Sequence, residues 1–254
     1  MENTLAQDTS AICIEGLSKK FKDIMAVDRV SFRIGGGEIF GFMGHNGAGK
    51  TTTIKMLLGL TKPSEGAATV LGYDIVRESI AVRRVSGYLP GSYALPKEMT
   101  ARAFLAYVAS MFNLSAKKTE QKIAELLELF DLSSVAGKKL GGFSSGMTQK
   151  IGLAQALINE PKVLFLDEPT AGLDPLGRHE FLQYIQHLAR EKGVTVMFST
   201  HILSDIEAIC ESVAIMHRGR LVAAGRLDKL KQEHNEATMD GLYLKLARQQ
   251  EAAL

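Results

Sequence analysis

The sequence predicts an α/β fold with a mostly parallel sheet, an antiparallel β subdomain towards the N-terminus and an inserted α-helical subdomain. Three observations predict it. The apolar runs KVLFLDE and VTVMFSTH are continuous and end in polar residues, as strands buried on both faces of a parallel sheet do. AICIEGL and VSFRI instead alternate apolar and polar side chains, the pattern of half-exposed antiparallel strands. From about residue 97 to 158 the pattern is helical, and glycine is scarce until 137.

Taken in order, the alternating pair comes first, and EIFGFMG follows as a strand running straight into the glycine-rich GHNGAGKTTT. TTTIKMLLGL then has helical periodicity. In the helical region Ile123, Leu126, Leu127 and Phe130 fall at i, i+3, i+4 and i+7, a stripe expected to face a core. Phe181, Ile185 and Leu188 mark a helix between two strands, as a parallel crossover requires. VAIM, HRGR and LVAAG read as two strands joined by a glycine turn. Met239, Leu242, Tyr243 and Leu246 form a last helical stripe, expected to dock on the parent domain. The whole is read as one domain over 1–254. Residues 1–90 and 159–225 form its core, 91–158 the helical subdomain and 226–254 a C-terminal helical extension.

Composition narrows the function classes. A chain of 254 residues with 46% hydrophobic and 23% charged residues is that of an ordinary globular protein. A net charge of +2 is too mild for a nucleic-acid partner or an anionic membrane surface. Cys13 and Cys210 lack metal-type spacing and read as small buried hydrophobes in a reducing compartment. The opening MENTLAQDTS has no apolar signal segment, and AFLAYVASMF falls short of a membrane span. A cytoplasmic chain is expected, with any membrane part supplied by another chain.

Gly44, Gly49, Lys50 and Thr51 satisfy G-x-x-x-x-G-K-[ST] after an apolar strand and before a helix. The loop Gly44, His45, Asn46, Gly47, Ala48 and Gly49 can fold closely around phosphates, with amides and a helix N-terminus supplying positive potential. Lys50 is placed for the β/γ-phosphates, the Thr51 hydroxyl for Mg²⁺, and Thr52 for a weaker phosphate contact. Asp167 ends the run VLFLDEP, where a carboxylate reaches Mg²⁺ or its water. Glu168, one step on, is placed to polarise an attacking water. No N-K-x-D motif occurs, which disfavours a guanine-nucleotide switch. The core is therefore expected to be a P-loop nucleoside triphosphatase using ATP and Mg²⁺.

One further stretch, GGFSSGMTQK at 141–150, is a second small-residue helix start, which a serine N-cap alone could explain. Set in order with the others, it carries a resemblance. GHNGAGKT, FSSGM at 143–147, VLFLDEP, AGLD ending at Asp174 and STH ending at His201 closely resemble the motifs of ATP-binding cassette ATPases, the nucleotide-binding subunits of ABC transporters. The tail MDGLYLKLARQ resembles cassettes paired with permeases of the ABC-2 exporter type. The resemblance implies that Phe21 stacks on adenine and that His201 bonds the γ-phosphate and orients the water. It implies a second cassette, in a homodimer or heterodimer, with Ser144, Ser145, Gly146 and Asp174 at the interface. Ser144 and the Gly146 amide would then contact ATP held by the other subunit. It also implies transmembrane permease subunits as partners, no nucleic acid, and a peripheral place on the cytoplasmic face of the membrane.

Three positions depart from the family pattern. His45 stands where proline is usual and is expected to be harmless. Ser145 replaces a signature glycine and is expected to weaken the phosphate contact modestly. Gly91, after SGYLP, stands where the family has a glutamine linking metal, water and helical subdomain; hydrolysis is expected to survive, and Ser92 or Tyr93 to share in coupling. His179, His187, His217 and His234 are read as structural. Two alternatives stay open: a non-hydrolysing regulatory cassette in a heterodimer, and a cassette working away from transport.

Overall fold

The computed structural model describes residues 10–112 and 114–252. The polar opening therefore lies outside the described residues, as do Asn113 and the last two positions. Strands β1 (Ser10–Phe21) and β2 (Ile24–Gly35) form a long antiparallel hairpin. β3 (Ile39–Gly44) then enters a different sheet, and α1 (Lys50–Leu57) follows the glycine-rich loop. β4 (Glu65–Val70) and β5 (Tyr73–Asp74) return to the hairpin, giving a four-stranded antiparallel sheet of order β2-β1-β4-β5. Next come α2 (Ser79–Val85) and β6 (Ser86–Leu89).

The helical region begins with α3 (Ala101–Ser110) and α4 (Ala116–Leu129), each capped by a side chain. Thr100 accepts from the Ala103 amide and Ser115 from the Lys118 amide, satisfying donors that a helix start leaves open. Two short 3₁₀ turns lead to α5 (Ser145–Ala156). Ile123, Leu126, Leu127 and Phe130 are all buried, so the stripe faces a core as its spacing predicts.

β7 (Val163–Asp167), α6 (Pro175–Lys192) and β8 (Thr195–Thr200) make a strand–helix–strand crossover. Asp174 caps α6, Pro175 opens it, and Gly193 ends it in the left-handed conformation at φ +64°. α7 (Leu203–Ile209), β9 (Ser212–His217) and β10 (Arg220–Arg226) follow. The second sheet has six strands in the order β10-β9-β3-β8-β7-β6, parallel except for the β10–β9 hairpin. The fold class read from the sequence is the one observed.

Strands β3, β7 and β8 are buried along their whole length, which explains their uninterrupted apolar runs. Alternate residues serve two cores. Phe40, Phe42, Val163, Phe165 and Met197 pack with the antiparallel sheet and α1; Met43, Leu164, Leu166, Val196 and Phe198 pack with the helices. Each such fully buried side chain contributes roughly 1.5–3 kcal/mol relative to exposure.

α8 (Leu227–Glu233) and α9 (Met239–Ala252) complete the chain. Met239, Leu242 and Leu246 are buried against the helical core, so the tail docks on its own domain. Glu207 of α7 holds it there, accepting from the Met239 amide at 2.9 Å and pairing with Lys231. One reading needs correction. Cys210 is buried, but Cys13 lies on β1 only partly covered, because its side chain falls on the more open face of the hairpin beside Glu15.

Candidate active site

The ends of β3, β7 and β8 lie side by side in the sheet, and each delivers part of the site. β3 ends at Gly44 against β9: a Cβ there would meet the Met216 carbonyl oxygen at 2.6 Å, so only glycine fits. The loop then turns through Gly47 and Gly49, both at positive φ. Gly49, the N-cap of α1, has no side chain to cap with, and its Cα lies against the Ala26 carbonyl. The first-turn amides of α1 at Lys50, Thr51 and Thr52 are thereby left for an anion, with the helix dipole behind them. The pocket over them holds about 170 Å³ and is lined by Asn46, Gly47, Lys50, Thr51, Thr52 and Glu168. Ala48 is buried beneath the loop, its amide donating to His45 O.

Lys50 Nζ is buried at the centre, 2.7 Å from Gly44 O and 2.9 Å from Glu168 Oε1. Thr51 Oγ1 donates to Asp167 Oδ2 at 2.6 Å, and Ser199 Oγ donates to Oδ1 at 2.6 Å. The fully buried Ser199 is a member of the site that sequence reasoning did not single out; its signal was a serine at the polar end of an apolar strand. A hydroxyl and a carboxylate held in contact at a phosphate loop are the hard oxygen donors that Mg²⁺ takes, so the residues fit that ion.

Glu168 has the uncommon φ of +51°. Its amide donates to Ser199 O at 2.9 Å, which fixes the backbone in that strained turn. His201 Nδ1 lies 2.6 Å from Glu168 Oε2, and the His201 amide also donates to that oxygen at 3.3 Å. Lys50, Thr51, Asp167, Glu168 and His201 therefore meet in one place. His201 stands on the glutamate itself, so its ring is oriented by Glu168.

The remaining site residues lie further out. Phe21 is 48% exposed at the turn of the hairpin that also supplies Ala26 to the pocket, with Lys19 Nζ 4.9 Å over its ring. His45 contacts His217 edge-on at 5.1 Å between ring centroids and accepts the Arg218 amide at 3.4 Å, which anchors the loop to the end of β9.

Ser144 is the N-cap of α5, its oxygen accepting from the Met147 amide at 3.3 Å. Ser145 Oγ donates to Gly172 O at 3.2 Å, tying this helix start to the loop before Asp174. Nothing lies within 4 Å of a Cβ at Gly146, so the start of α5 is open to the outside. Asp174 is exposed and caps α6 through Gly177. These four share an outward-facing surface and do not join the phosphate loop of the same chain in any hydrogen bond among the described residues.

No helix among the described residues is long and apolar enough to cross a membrane. The family model described as ABC transporter matches residues 27–171, from the first hairpin through the acid pair. The daunorubicin resistance ATP-binding protein DrrA3 of Streptomyces coeruleorubidus is 38% identical over 224 residues, spanning 88% of this chain and 73% of that one. A solved ATP-binding subunit of an ABC transporter superposes with a TM-score of 0.84 at 34% identity, covering 93% of this chain and 99% of the other. A solved bacterial ABC transporter cassette described as dimeric gives a TM-score of 0.78 at 25% identity, over 85% and 98% of the two chains. With the family model covering more than half of the residues and the fold and site agreeing, this chain belongs to the ABC transporter family, as an ATP-binding subunit.

Proposed function

We propose that the chain is the ATP-hydrolysing subunit of an exporter of the ABC-2 type, working as a head-to-tail dimer on separate permease subunits. The observation that carries the reading is the meeting of Lys50, Thr51, Asp167, Glu168 and His201 at the strand ends. Phosphoryl transfer to water demands positioning and charge stabilisation more than covalent chemistry from the protein. Lys50 and the first-turn amides of α1 bind the β- and γ-phosphates, and Phe21 stacks on the base. Thr51 and Asp167 would hold Mg²⁺, which would supply positive charge to offset that of the phosphates. Glu168 takes the proton of the attacking water, and His201 keeps that carboxylate aimed.

Export is supported by the resistance role in the name of the relative from Streptomyces. A dimer is supported by the open start of α5. Ser144, Ser145 and Gly146 form a second helix start whose Gly146 faces open space, with the exposed Asp174 on the same surface through the Ser145–Gly172 contact. Facing the phosphate loop of another copy, it would complete a site that neither half completes, and ATP would favour the closed pair.

A permease needs a seat. A groove of about 340 Å³ runs between the core and the helical region, lined by Leu58, Leu60, Pro90, Val108 and Phe112. It borders the strand that leads to Gly91, so a segment seated there would press on the link to the acid pair. A partner seated there would hold the chain at the cytoplasmic face of the membrane.

The test is steady-state ATP hydrolysis by the purified chain beside its Glu168→Gln variant. Turnover that depends on Glu168 and is cooperative in ATP supports the reading. Turnover that is independent of Glu168 overturns the assignment of that residue, and ATP binding without turnover in every condition favours a regulatory cassette.

A further inference from the structure

Gly91 stands where the chain leaves the parallel sheet for the helical region. A Cβ there would lie 2.9 Å from Asp167 O and 3.4 Å from Glu168 Cβ. Backbone packs directly on the acid pair, and a side chain at 91 would force one of them to move. This position therefore offers no side chain through which events at the acids could reach the helices.

Two residues on, Tyr93 reaches α5. A Cβ at Gly152 would fall 2.1 Å from Tyr93 Oη and 2.7 Å from Cζ, so the ring occupies space that only a helical glycine leaves. The hydroxyl lies 2.8 Å from Thr148 O and 3.0 Å from Gln149 Oε1. Burial pushes the phenol well above its usual value, which keeps it protonated and donating. Gln149 is itself buried, and its Nε2 donates to Pro169 O at 2.8 Å. Pro169 follows Glu168, whose strained backbone is held on its other side by Ser199. A hydrogen-bonded chain thus runs from Tyr93 through Gln149 to the peptide next to the glutamate. Five residues upstream of Gln149 lies Ser144, the N-cap at the open end of the same helix.

We propose that Tyr93 and Gln149 are positioning residues that tie the Ser144–Gly146 helix start to the backbone of Glu168. Seating that helix start on a second subunit's nucleotide then aligns the glutamate of its own chain. The tie does by hydrogen bonds between buried groups what position 91 cannot do with a side chain. The proposal rests on Glu168 being the hydrolytic carboxylate.

The test compares Tyr93→Phe, Gln149→Leu and the double variant with the unmodified chain, reading kcat, KM for ATP and thermal midpoint. Tyr93→Phe keeps the ring in the Gly152 gap and removes only the hydroxyl. We expect kcat to fall about fivefold, and about tenfold in Gln149→Leu, with KM within about twofold, the scale of losing a transition-state alignment rather than binding. The double variant should be no worse than Gln149→Leu, because the two side chains act as one unit. Unchanged kcat in both single variants, or effects that simply multiply, would overturn the tie. A fall in kcat that follows the thermal midpoint alone would overturn it too.

A second readout needs binding only. In a Glu168→Gln background, ATP should slow amide hydrogen exchange over 144–152, and adding Tyr93→Phe should weaken that protection. Equal protection with and without the hydroxyl contradicts the proposal. Turnover surviving in Glu168→Gln alone removes the reading of Glu168 and the proposal with it. Loss of turnover there, beside unmodified kcat in Tyr93→Phe and Gln149→Leu, removes the tie alone.

Discussion

The helix starts of α1 and α5, both rich in small residues, differ in where their partners lie. At the start of α1, Lys50, Thr51, Asp167, Glu168 and His201 are bonded to one another inside a single chain, mostly at 2.6–2.9 Å. At the start of α5 the serine caps its own helix, its neighbour reaches one carbonyl, and Gly146 faces open space. One start is filled from within and the other is presented outward. Under the proposed function, the difference separates binding of nucleotide, assigned to one chain, from the chemistry, assigned to two.

The largest effect should come from within the filled start. Glu168→Gln keeps the size of the side chain and removes the base; turnover should fall on the order of a thousandfold while nucleotide binding persists, as measured by phosphate release and by binding of a fluorescent ATP analogue. If binding and turnover fall together, the residue holds nucleotide and the comparison fails at its filled end.

The outward start should respond in the opposite way. Gly146→Asp adds a carboxylate where nothing crowds a Cβ, so the fold and the thermal midpoint should be unchanged. Nucleotide binding by the isolated chain should also hold, while turnover drops about a hundredfold through like-charge repulsion with phosphate across the interface. Unchanged turnover would break the comparison from its open end.

A third variant probes the loop between the two. Asp205 is fully buried, accepting from Thr170 at 2.6 Å and pairing with Arg178, whose helix is capped by Asp174. Asp205→Ala strands Arg178 without its partner and should cost about 3 kcal/mol, read by urea denaturation. Turnover at low temperature should fall as well, since Thr170 and Asp174 belong to the same segment.

The smallest effect lies in the tail, remote from both starts. The Lys231 ammonium beside Glu207, with help from the Met239 amide, holds this carboxyl below its ordinary value. A folded-state value below the unfolded one means its stabilisation is present above the ordinary glutamate range and is lost as pH falls through the depressed value. Because the pair is partly exposed, Glu207→Gln should cost only a few tenths of a kcal/mol at pH 7. That difference should vanish in acid, as urea titrations at several pH values would show; a difference that grows in acid would contradict the pairing.

Much of this was legible in the sequence because the signals are local. The runs ending at Gly44, Asp167 and Thr200 are apolar without a break since both faces of those strands are covered. The phosphate loop and acid pair each sit within a few consecutive residues, so their motifs survive as text. Other features are not local. β4 carries small residues with little alternation and β5 has only two residues; β4 forms on the edge that β1 offers, and β5 on the edge of β4. That Tyr93 fills the gap at Gly152 depends on two segments 59 positions apart meeting in space. Ser145 reads as a lost glycine until Gly172 is found beside it. His201 reads as a residue for the γ-phosphate and the water, and its contact with Glu168 is visible only in the fold.

The most direct test of the central claim, that the outward start completes a second chain's site, is the molecular mass of the Glu168→Gln chain in solution with and without ATP, by size exclusion with light scattering. The chain should be a monomer without nucleotide and a dimer of twice 27.6 kDa with ATP, lost again when Gly146→Asp is added. A chain that binds ATP and stays monomeric would contradict it, as would a dimer indifferent to the change at Gly146.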